Sequence, residues 1–297
     1  MIYLEQFILP DELTEIKFIE SEKRTCFHTF YPFKIFPEKE LKTVELDRIT
    51  LLYGGNGSGK STLINVMAEK MNAVRFSEFN SSPLFDQFVR LCRADCPNAP
   101  ESSIVLTSDD VFDYALNARS VNGRIDDHRN ALFEKYVETH REAVQNPNLM
   151  RFRGLDDFER WKETKEILSP KRTQSNYIRK RVASDVALCS NGETALRYFI
   201  DRIDGDALYF LDEPENSLSI ELQLRLAEYI EATARATRSQ FVIATHSPIL
   251  LAMQDARIYN LDGNPARICP WTSLPNVRAY FDFFAAHRHE FEKNNSF

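Results

Sequence analysis

Apolar positions along the chain fall into short continuous runs that alternate with segments of helical periodicity. The segment 44–53 ends in the β-prone run ITLLY, and further strands are predicted over residues 104–107, 207–211, 240–244 and 257–261. Helices are predicted from Lys60 onward and over residues 192–203, 220–236 and 248–253. Strands that alternate with helices imply right-handed crossover connections and a mainly parallel sheet. The pattern therefore predicts an α/β fold with helices flanking the sheet.

The middle of the chain departs from this alternation. From about residue 112 to residue 181 the pattern is helical and charged, and Leu132, Phe133, Tyr136 and Val137 recur at helical spacing. Residues 119–181 contain 15 Lys and Arg against 10 Asp and Glu, so this region is basic in a chain whose net charge is −7. We therefore predict a discontinuous core, residues 1–118 and 183–297, with a helical arm inserted at residues 119–182.

Composition limits the class of protein. A hydrophobic content of 43% and a charged content of 27% are ordinary for a globular domain, and the net charge of −7 disfavours non-specific adhesion to nucleic acid. No apolar run approaches the roughly 18 residues that span a bilayer, and the nearest, FVIATHSPILLAM, is interrupted by His and Pro. The first residues lack a basic region of the signal-peptide kind, and the five scattered cysteines suit a reducing compartment. We expect a cytoplasmic protein without a membrane span.

Residues 54–61, GGNGSGKS, fit the phosphate-loop pattern G-x-x-x-x-G-K-[ST] between a predicted strand and a predicted helix. Glycines let successive backbone N–H groups turn toward phosphates, and the helix N-terminus adds its positive dipole end. Lys60 is expected to reach the β- and γ-phosphates, and the Ser61 hydroxyl to ligate Mg²⁺. The residues predicted to bind nucleotide here are Gly54, Gly55, Asn56, Gly57, Ser58, Gly59, Lys60, Ser61 and Thr62.

Two carboxylates follow the apolar run 208–211, within the sequence ALYFLDEPENSLS. A strand end beside a phosphate loop is where Mg²⁺ needs a carboxylate, and Asp212 fits that role. Glu213 is then placed to orient and deprotonate the attacking water. The alternative interpretation, an acidic N-cap region of the following helix, is disfavoured by the presence of the phosphate loop.

Further motifs give the chain a family resemblance. CSNGE at residues 189–193 opens a predicted helix and resembles the LSGGQ-type signature of ABC ATPases, with Cys189 in place of Leu and Asn191 in place of Gly. ATHSPILL at residues 244–251 places a histidine after an apolar strand, like the switch histidine of that class. The order of phosphate loop, signature, D-E-P-E, S-L-S and T-H-S-P is similar to that of ABC-type ATPases of the SMC/RecF-like branch. The small stand-alone bacterial "AAA family ATPases" are the most similar group, and the resemblance covers nearly the whole core but not most of the arm.

The resemblance implies a P-loop NTPase fold of ABC-ATPase type that hydrolyses ATP with Mg²⁺. It implies that Ser190 and Gly192 contact the γ-phosphate of ATP held by a partner subunit, so that ATP binding forms a head-to-tail homodimer. Glu193 stands where many relatives have Gln. His246 would bond the γ-phosphate and sense its presence, and residues 216–219 would cross the interface as the D-loop.

The glutamine loop of such ATPases has no clear counterpart in the sequence. Asp109, after the predicted strand 104–107, is the best positional match and would contact Mg²⁺ in place of a glutamine. The alternative is Gln87, which lies in a predicted helix. An exposed Asp before a helix is also a common N-cap.

The basic segment 170–181, PKRTQSNYIRKR, carries no acidic residue. One interpretation is that this segment contacts the phosphates of nucleic acid. The alternatives are that it forms a solvated face of a helix or that it supports the ATP bound by a partner subunit.

Three functions remain open from the sequence. The first is an ATPase whose ATP-driven dimerisation gates a downstream activity, in nucleic-acid processing, genome maintenance or defence, through an effector protein not identified by the sequence. The second is the nucleotide-binding subunit of a membrane transporter. The third is a regulatory switch that hydrolyses ATP slowly.

Overall fold

The computed structural model describes residues 1–23, 29–145, 167 and 191–293, and two sheets are built from its strands. In chain order the strands are β1 (Gln6–Ile8), β2 (Thr43–Glu45), β3 (Ile49–Tyr53), β4 (Arg93–Asp95), β5 (Ser103–Thr107), β6 (Leu208–Asp212), β7 (Gln240–Thr245), β8 (Arg257–Asn260) and β9 (Arg267–Ile268). The helices are α1 (Glu12–Ser21), α2 (Lys60–Lys70), α3 (Phe85–Leu91), α4 (Ser108–Gln145), α5 (Asn191–Arg202), α6 (Ile220–Ala236), α7 (Pro248–Leu251), α8 (Pro275–Ala286) and α9 (Arg288–Lys293).

The larger sheet has the strand order β5-β6-β7-β3-β8-β9, and only the pairing of β8 with β9 is antiparallel. Every residue of β3 and β7 is buried, which explains their continuous apolar runs, because helices cover both faces of a parallel sheet. The strands end in register, since Thr107 pairs with Asp212 and Tyr53 pairs with Thr245. The polar residues that follow these strands therefore meet at one edge of the sheet.

The smaller sheet is antiparallel, in the order β2-β1-β4, and the sequence pattern did not predict it. Each of its strands has only three residues, too few to show an alternation of apolar and polar positions. The buried side chain of Gln240 joins the chain preceding β1 to β7: its Oε1 accepts from the backbone N–H groups of Tyr3 and Leu4, each at 2.9 Å. The carboxyl of Glu15 in α1 is also buried, which raises its pKa to about 7, and it accepts from Lys34 N–H at 2.6 Å.

The chain divides into two compact units, Met1–Phe112 with Ser190–Phe297 and, separately, Asp113–Cys189. In the second unit Ile167 packs with Leu132, Phe133 and Tyr136, three of the residues at helical spacing. Of the predicted boundaries of the arm, 118/119 falls inside α4 and 182/183 lies outside the described residues, as does the basic segment 170–181.

The α/β fold with a mainly parallel sheet is confirmed, and most elements begin and end within one residue of their predicted bounds. A clear difference is α4, which begins at Ser108 directly after β5 rather than near residue 112. Thr107 and Asp110 explain the early start: Thr107 N–H donates to Asp110 Oδ2 at 2.7 Å, and Asp110 N–H donates to Thr107 Oγ1 at 3.2 Å. This reciprocal pair works as a capping box. Among the described residues, no helix combines the length and the apolar character that crossing a membrane requires.

Candidate active site

The phosphate loop connects the end of β3 to the start of α2. Gly57 and Gly59 adopt φ angles of 78° and 90°, in a region of backbone conformation that residues other than glycine rarely occupy. A Cβ atom at Gly54 would collide with the side chain of Ser58, so a larger residue there would displace the loop. The loop therefore needs glycine at these positions. Asn56 is exposed on it, and Thr62, in the first turn of α2, receives the phenolic hydrogen bond of Tyr31 at 3.1 Å.

The Lys60 ammonium lies inside the loop and is only 4% exposed. Its Nζ donates to the carbonyl oxygens of Gly54 at 2.7 Å and Gly55 at 3.2 Å, and it lies 3.4 Å from Glu213 Oε1. The carbonyl groups of Gly54 and Gly55 position the Lys60 ammonium. Nucleotide phosphates bound by the loop would replace or join Glu213 as the anionic partners of this ammonium.

Ser61 and Asp212 form the second contact between the loop and the sheet. Ser61 Oγ donates to Asp212 Oδ1 at 3.0 Å. Burial raises the pKa of Asp212 to about 6; the hydrogen bond from Ser61 acts in the opposite direction, and the neighbouring Glu213 carboxylate adds to the rise. A hydroxyl and a carboxylate at this distance can share one hard cation.

This pair fits Mg²⁺ bound together with a nucleotide. Magnesium is usually held by one or two protein groups, several waters and substrate phosphates. The described residues contain no group of three or more His, Cys, Asp or Glu side chains that could hold a metal on their own. Ser61 and Asp212 are therefore the groups that would hold Mg²⁺, and phosphates and water would complete its ligand set. Its chemistry when bound is to neutralise phosphate charge.

Glu213 directly follows β6 in a left-handed backbone conformation, with φ 48° and ψ 52°. Its N–H donates to Ala244 O at 2.9 Å, which ties it to the neighbouring strand, and its Oε2 accepts from Asn216 Nδ2 at 3.0 Å. Burial acts to raise the pKa of Glu213, but the Asn216 hydrogen bond and the neighbouring Lys60 and His246 outweigh it and hold the pKa below its usual value. Glu213 is therefore a carboxylate over the whole neutral range.

The loop after β7 carries His246, whose imidazole is 48% exposed. Its Nδ1 lies 3.5 Å from Glu215 Oε1 and 3.8 Å from Glu213 Oε1. The fold thus brings the histidine beside the glutamate that follows β6, although the two residues are far apart in the chain.

The signature segment is only partly described. Ser190 and Cys189 lie outside the described residues, and α5 begins at Asn191. A Cβ at Gly192 would lie 2.7 Å from Leu222 Cδ1 and 3.4 Å from Ser217 O, so the start of α5 packs closely on Ser217 and on the first turn of α6. Glu193 is exposed.

Asp109 lies in the first turn of α4, two residues beyond Thr107, and its side chain is exposed. Its neighbour Asp110 is buried and accepts the N–H of Thr107, the residue before that helix. Asp109 lies at the same edge of the sheet as Asp212, because Thr107, the last residue of β5, pairs with Asp212. Gln87 lies within α3, as expected.

Two residues of the site escaped sequence analysis. Asp262, after β8, accepts the N–H of Gly55 with both carboxylate oxygens, at 3.0 and 2.8 Å. Glu215 accepts hydrogen bonds from three consecutive residues of the His246 loop. Only the doubled E in D-E-P-E hinted at Glu215, and nothing in the local pattern marked Asp262.

Comparison with known proteins places the chain in one family and gives distant structural likenesses. The model of the family described as "AAA domain, putative AbiEii toxin, Type IV TA system" matches residues 49–252. No curated protein matches the sequence significantly. An Smc head domain with an extended coiled coil from Pyrococcus furiosus, bound to the C-terminal domain of ScpA, is 13% identical over 97% of this chain and 100% of its own, with a TM-score of 0.42.

Two further solved structures are similar at the same level. A putative metal-chelate type ABC transporter in an inward-facing conformation is 14% identical over 92% of this chain and 85% of its own, with a TM-score of 0.39. An SMC head domain from Thermotoga maritima is 15% identical over 91% of this chain and 99% of its own, with a TM-score of 0.36.

Proposed function

The chain belongs to the family of AAA domains whose model matches residues 49–252, an ABC-class P-loop ATPase as the sequence predicted, and from that premise we propose that it hydrolyses ATP with Mg²⁺. The observation that carries this proposal is the cluster at the carboxyl edge of the sheet. Three pairs form this cluster: Ser61 with Asp212 at 3.0 Å, Lys60 with Glu213 at 3.4 Å, and His246 with Glu213 at 3.8 Å.

Each group has a distinct task in this proposal. Lys60 and the N–H groups of the loop bind the β- and γ-phosphates, while Ser61 and Asp212 hold Mg²⁺. Glu213 accepts a proton from the attacking water, which its ionised state at neutral pH allows. His246 contacts the γ-phosphate and reports whether it is present.

The proposal includes a second copy of the chain, because these groups approach the phosphates from one side only. The signature segment, which leads into α5 at Asn191, would be the source of the missing donors, and Gly192 packs on Ser217 and Leu222. Two copies arranged head to tail would supply the missing donors to each other and enclose two ATP molecules in one two-fold interface. Hydrolysis would remove the γ-phosphate contacts and loosen the pair, so that dimerisation gates an effector in nucleic-acid processing, genome maintenance or defence.

The direct test of the hydrolase is steady-state phosphate release by the purified chain. We expect turnover of ATP in the presence of Mg²⁺ and its loss when a chelator removes the metal, because the phosphate charge that Mg²⁺ neutralises would then be left uncompensated. Tight ATP binding without release of phosphate would contradict the hydrolase and favour a nucleotide-dependent switch. Turnover that persists unchanged in the chelator would contradict the role of the metal.

A further inference from the structure

Glu215 is a buried carboxylate that none of the roles above uses. It lies in the 3-10 turn Pro214–Ser217, two residues after Glu213, and is 5% exposed. The proposed function gives Lys60, Asp212 and Glu213 partners among phosphate, metal and water, whereas Glu215 contacts other parts of the protein. What it contacts is the loop that carries His246.

A single oxygen of Glu215 holds that loop. Its Oε1 accepts from Thr245 Oγ1 at 2.7 Å, from His246 N–H at 2.8 Å and from Ser247 N–H at 3.2 Å. These donors are consecutive, so the carboxylate fixes the backbone on both sides of the histidine. Hydrogen bonds to a charged acceptor are stronger than those between neutral groups.

The His246 ring is 48% exposed, so packing constrains it only in part. The position of its backbone therefore contributes to where the imidazole lies. Asn276 Nδ2 donates to His246 O at 2.7 Å, and Ser247 Oγ donates to Gln223 Oε1 at 2.7 Å, but neither of these bonds reaches the N–H of His246. Glu215 alone among the described residues links that N–H to the turn that begins at Glu213.

The other oxygen of the Glu215 carboxylate, Oε2, provides a second observation. Glu215 Oε2 is buried and has no hydrogen-bond partner among the described residues. An unsatisfied buried oxygen of a charged group destabilises a fold. The carboxylate is thus poorly explained by stability alone and better explained by the loop that it holds.

We propose that Glu215 is the positioning residue that sets the His246 imidazole beside Glu213, acting through the backbone of the loop. The proposal rests on the hydrolase proposed above only for its kinetic consequence. Its structural consequence is independent of ATP: the 3.5 and 3.8 Å separations of His246 Nδ1 from the two glutamates depend on the reach of Glu215 Oε1.

The first test observes the His246 ring directly, in nucleotide-free protein with ¹³C-labelled histidine rings. The chain has six histidines, and a His246→Gln variant assigns the resonance. In Glu215→Ala we expect the His246 signal to shift and broaden while the other five signals stay in place. Glu215→Gln keeps an oxygen at the same reach and should leave the signal as narrow as in the wild type, although loss of the nearby charge moves its position. Glu215→Asp keeps the charge but is shorter, and should behave like Ala.

A matched control is Glu15→Ala. Glu15 is likewise a buried glutamate that accepts a backbone N–H and has one oxygen without a partner among the described residues. Its removal should lower stability in a comparable way but leave the His246 signal unchanged. If Glu215→Ala does not fold, the Gln and Asp variants decide by themselves. An unchanged His246 signal in Glu215→Asp, or a broadened signal in Glu215→Gln, overturns positioning through the reach of this oxygen.

The second test is a double-variant cycle in ATP turnover. We expect Glu215→Ala to lower kcat about tenfold or more, with the KM for ATP within about twofold of wild type, because the phosphate loop is untouched. In a His246→Ala background the same substitution should have no further effect on kcat, since its route to the reaction has been removed. Full multiplication of the two losses would overturn the proposal. If the ring test succeeds and the wild-type chain shows no turnover, it is the hydrolase that fails and the positioning role stands.

Discussion

Glu213→Gln protein is expected to bind ATP as tightly as the wild type and to hydrolyse it at least about a hundredfold more slowly. The loss follows from removing the carboxylate that, among the described residues, pairs with both Lys60 and His246 at the end of β6 and stays ionised at neutral pH. General-base catalysis typically contributes ~10²- to 10⁴-fold. The fold should survive, because the amide can keep the hydrogen bond with Asn216 and the backbone bond from Glu213 N–H to Ala244 O is unaffected.

Single-turnover phosphate release and calorimetric ATP titration together measure this outcome. Glu221→Gln is the matched control, since Glu221 is an exposed glutamate on α6 paired only with Arg225 among the ion pairs of the described residues. It should hydrolyse ATP at the wild-type rate. Turnover near wild type in Glu213→Gln would assign the base to another group, and Asp109, at the same edge of the sheet, would be tested first.

Lys60→Ala is expected to weaken ATP binding by about a hundredfold or more. The substitution removes the only cationic side chain held inside the phosphate loop within the described residues, and hydrogen bonds to charged groups contribute about 1.5–3 kcal/mol each. Lys60 also pairs with Glu213 at 3.4 Å when no phosphate is bound. ATP would therefore draw the ammonium toward the phosphates and release Glu213 for the attacking water.

The control for this change lies on the same helix. Lys70 ends α2 about 15 Å from Lys60 along the helix axis, and its Nζ donates to Val89 O at 3.2 Å. Lys70→Ala should bind ATP like the wild type in a calorimetric titration with Mg²⁺. Unchanged affinity in Lys60→Ala would mean that residues 54–61 are not the nucleotide site.

The parts of this molecule that the sequence predicted are those encoded locally. The phosphate loop needs glycine within a few residues of Lys60, and β3 and β7 need only continuous apolar runs. The start of α6 was predicted to the residue because Ser219 caps it through its own side chain, which accepts from Leu222 N–H.

What the sequence did not predict depends on contacts between distant residues. Asp262 meets Gly55 across 207 positions, and Gln240 meets Tyr3 across 237. Glu215 meets the His246 loop across 31 positions, and only the folded sheet shows that one oxygen serves three donors. The three short strands of the smaller sheet are likewise defined by one another rather than by any pattern of their own. Local periodicity carries no information about such pairs.

The central claim is that ATP joins two copies through the phosphate loop of one and the signature segment of the other. Light scattering of Glu213→Gln protein tests it most directly, because slow hydrolysis preserves the ATP-bound state. We expect the 34.5 kDa chain to run as a single copy without nucleotide and at twice that mass with ATP and Mg²⁺.

The decisive comparison adds Ser190→Arg to the Glu213→Gln background, which places a large, charged side chain in the proposed dimer interface. Ser102→Arg is the matched control, since Ser102 is exposed and precedes β5 at the opposite edge of the sheet. The account predicts that Ser190→Arg returns the ATP-bound protein to the single-copy mass while Ser102→Arg leaves it at twice that mass. An ATP-dependent dimer that persists in Ser190→Arg, or a mass that ATP does not change in Glu213→Gln, would contradict it.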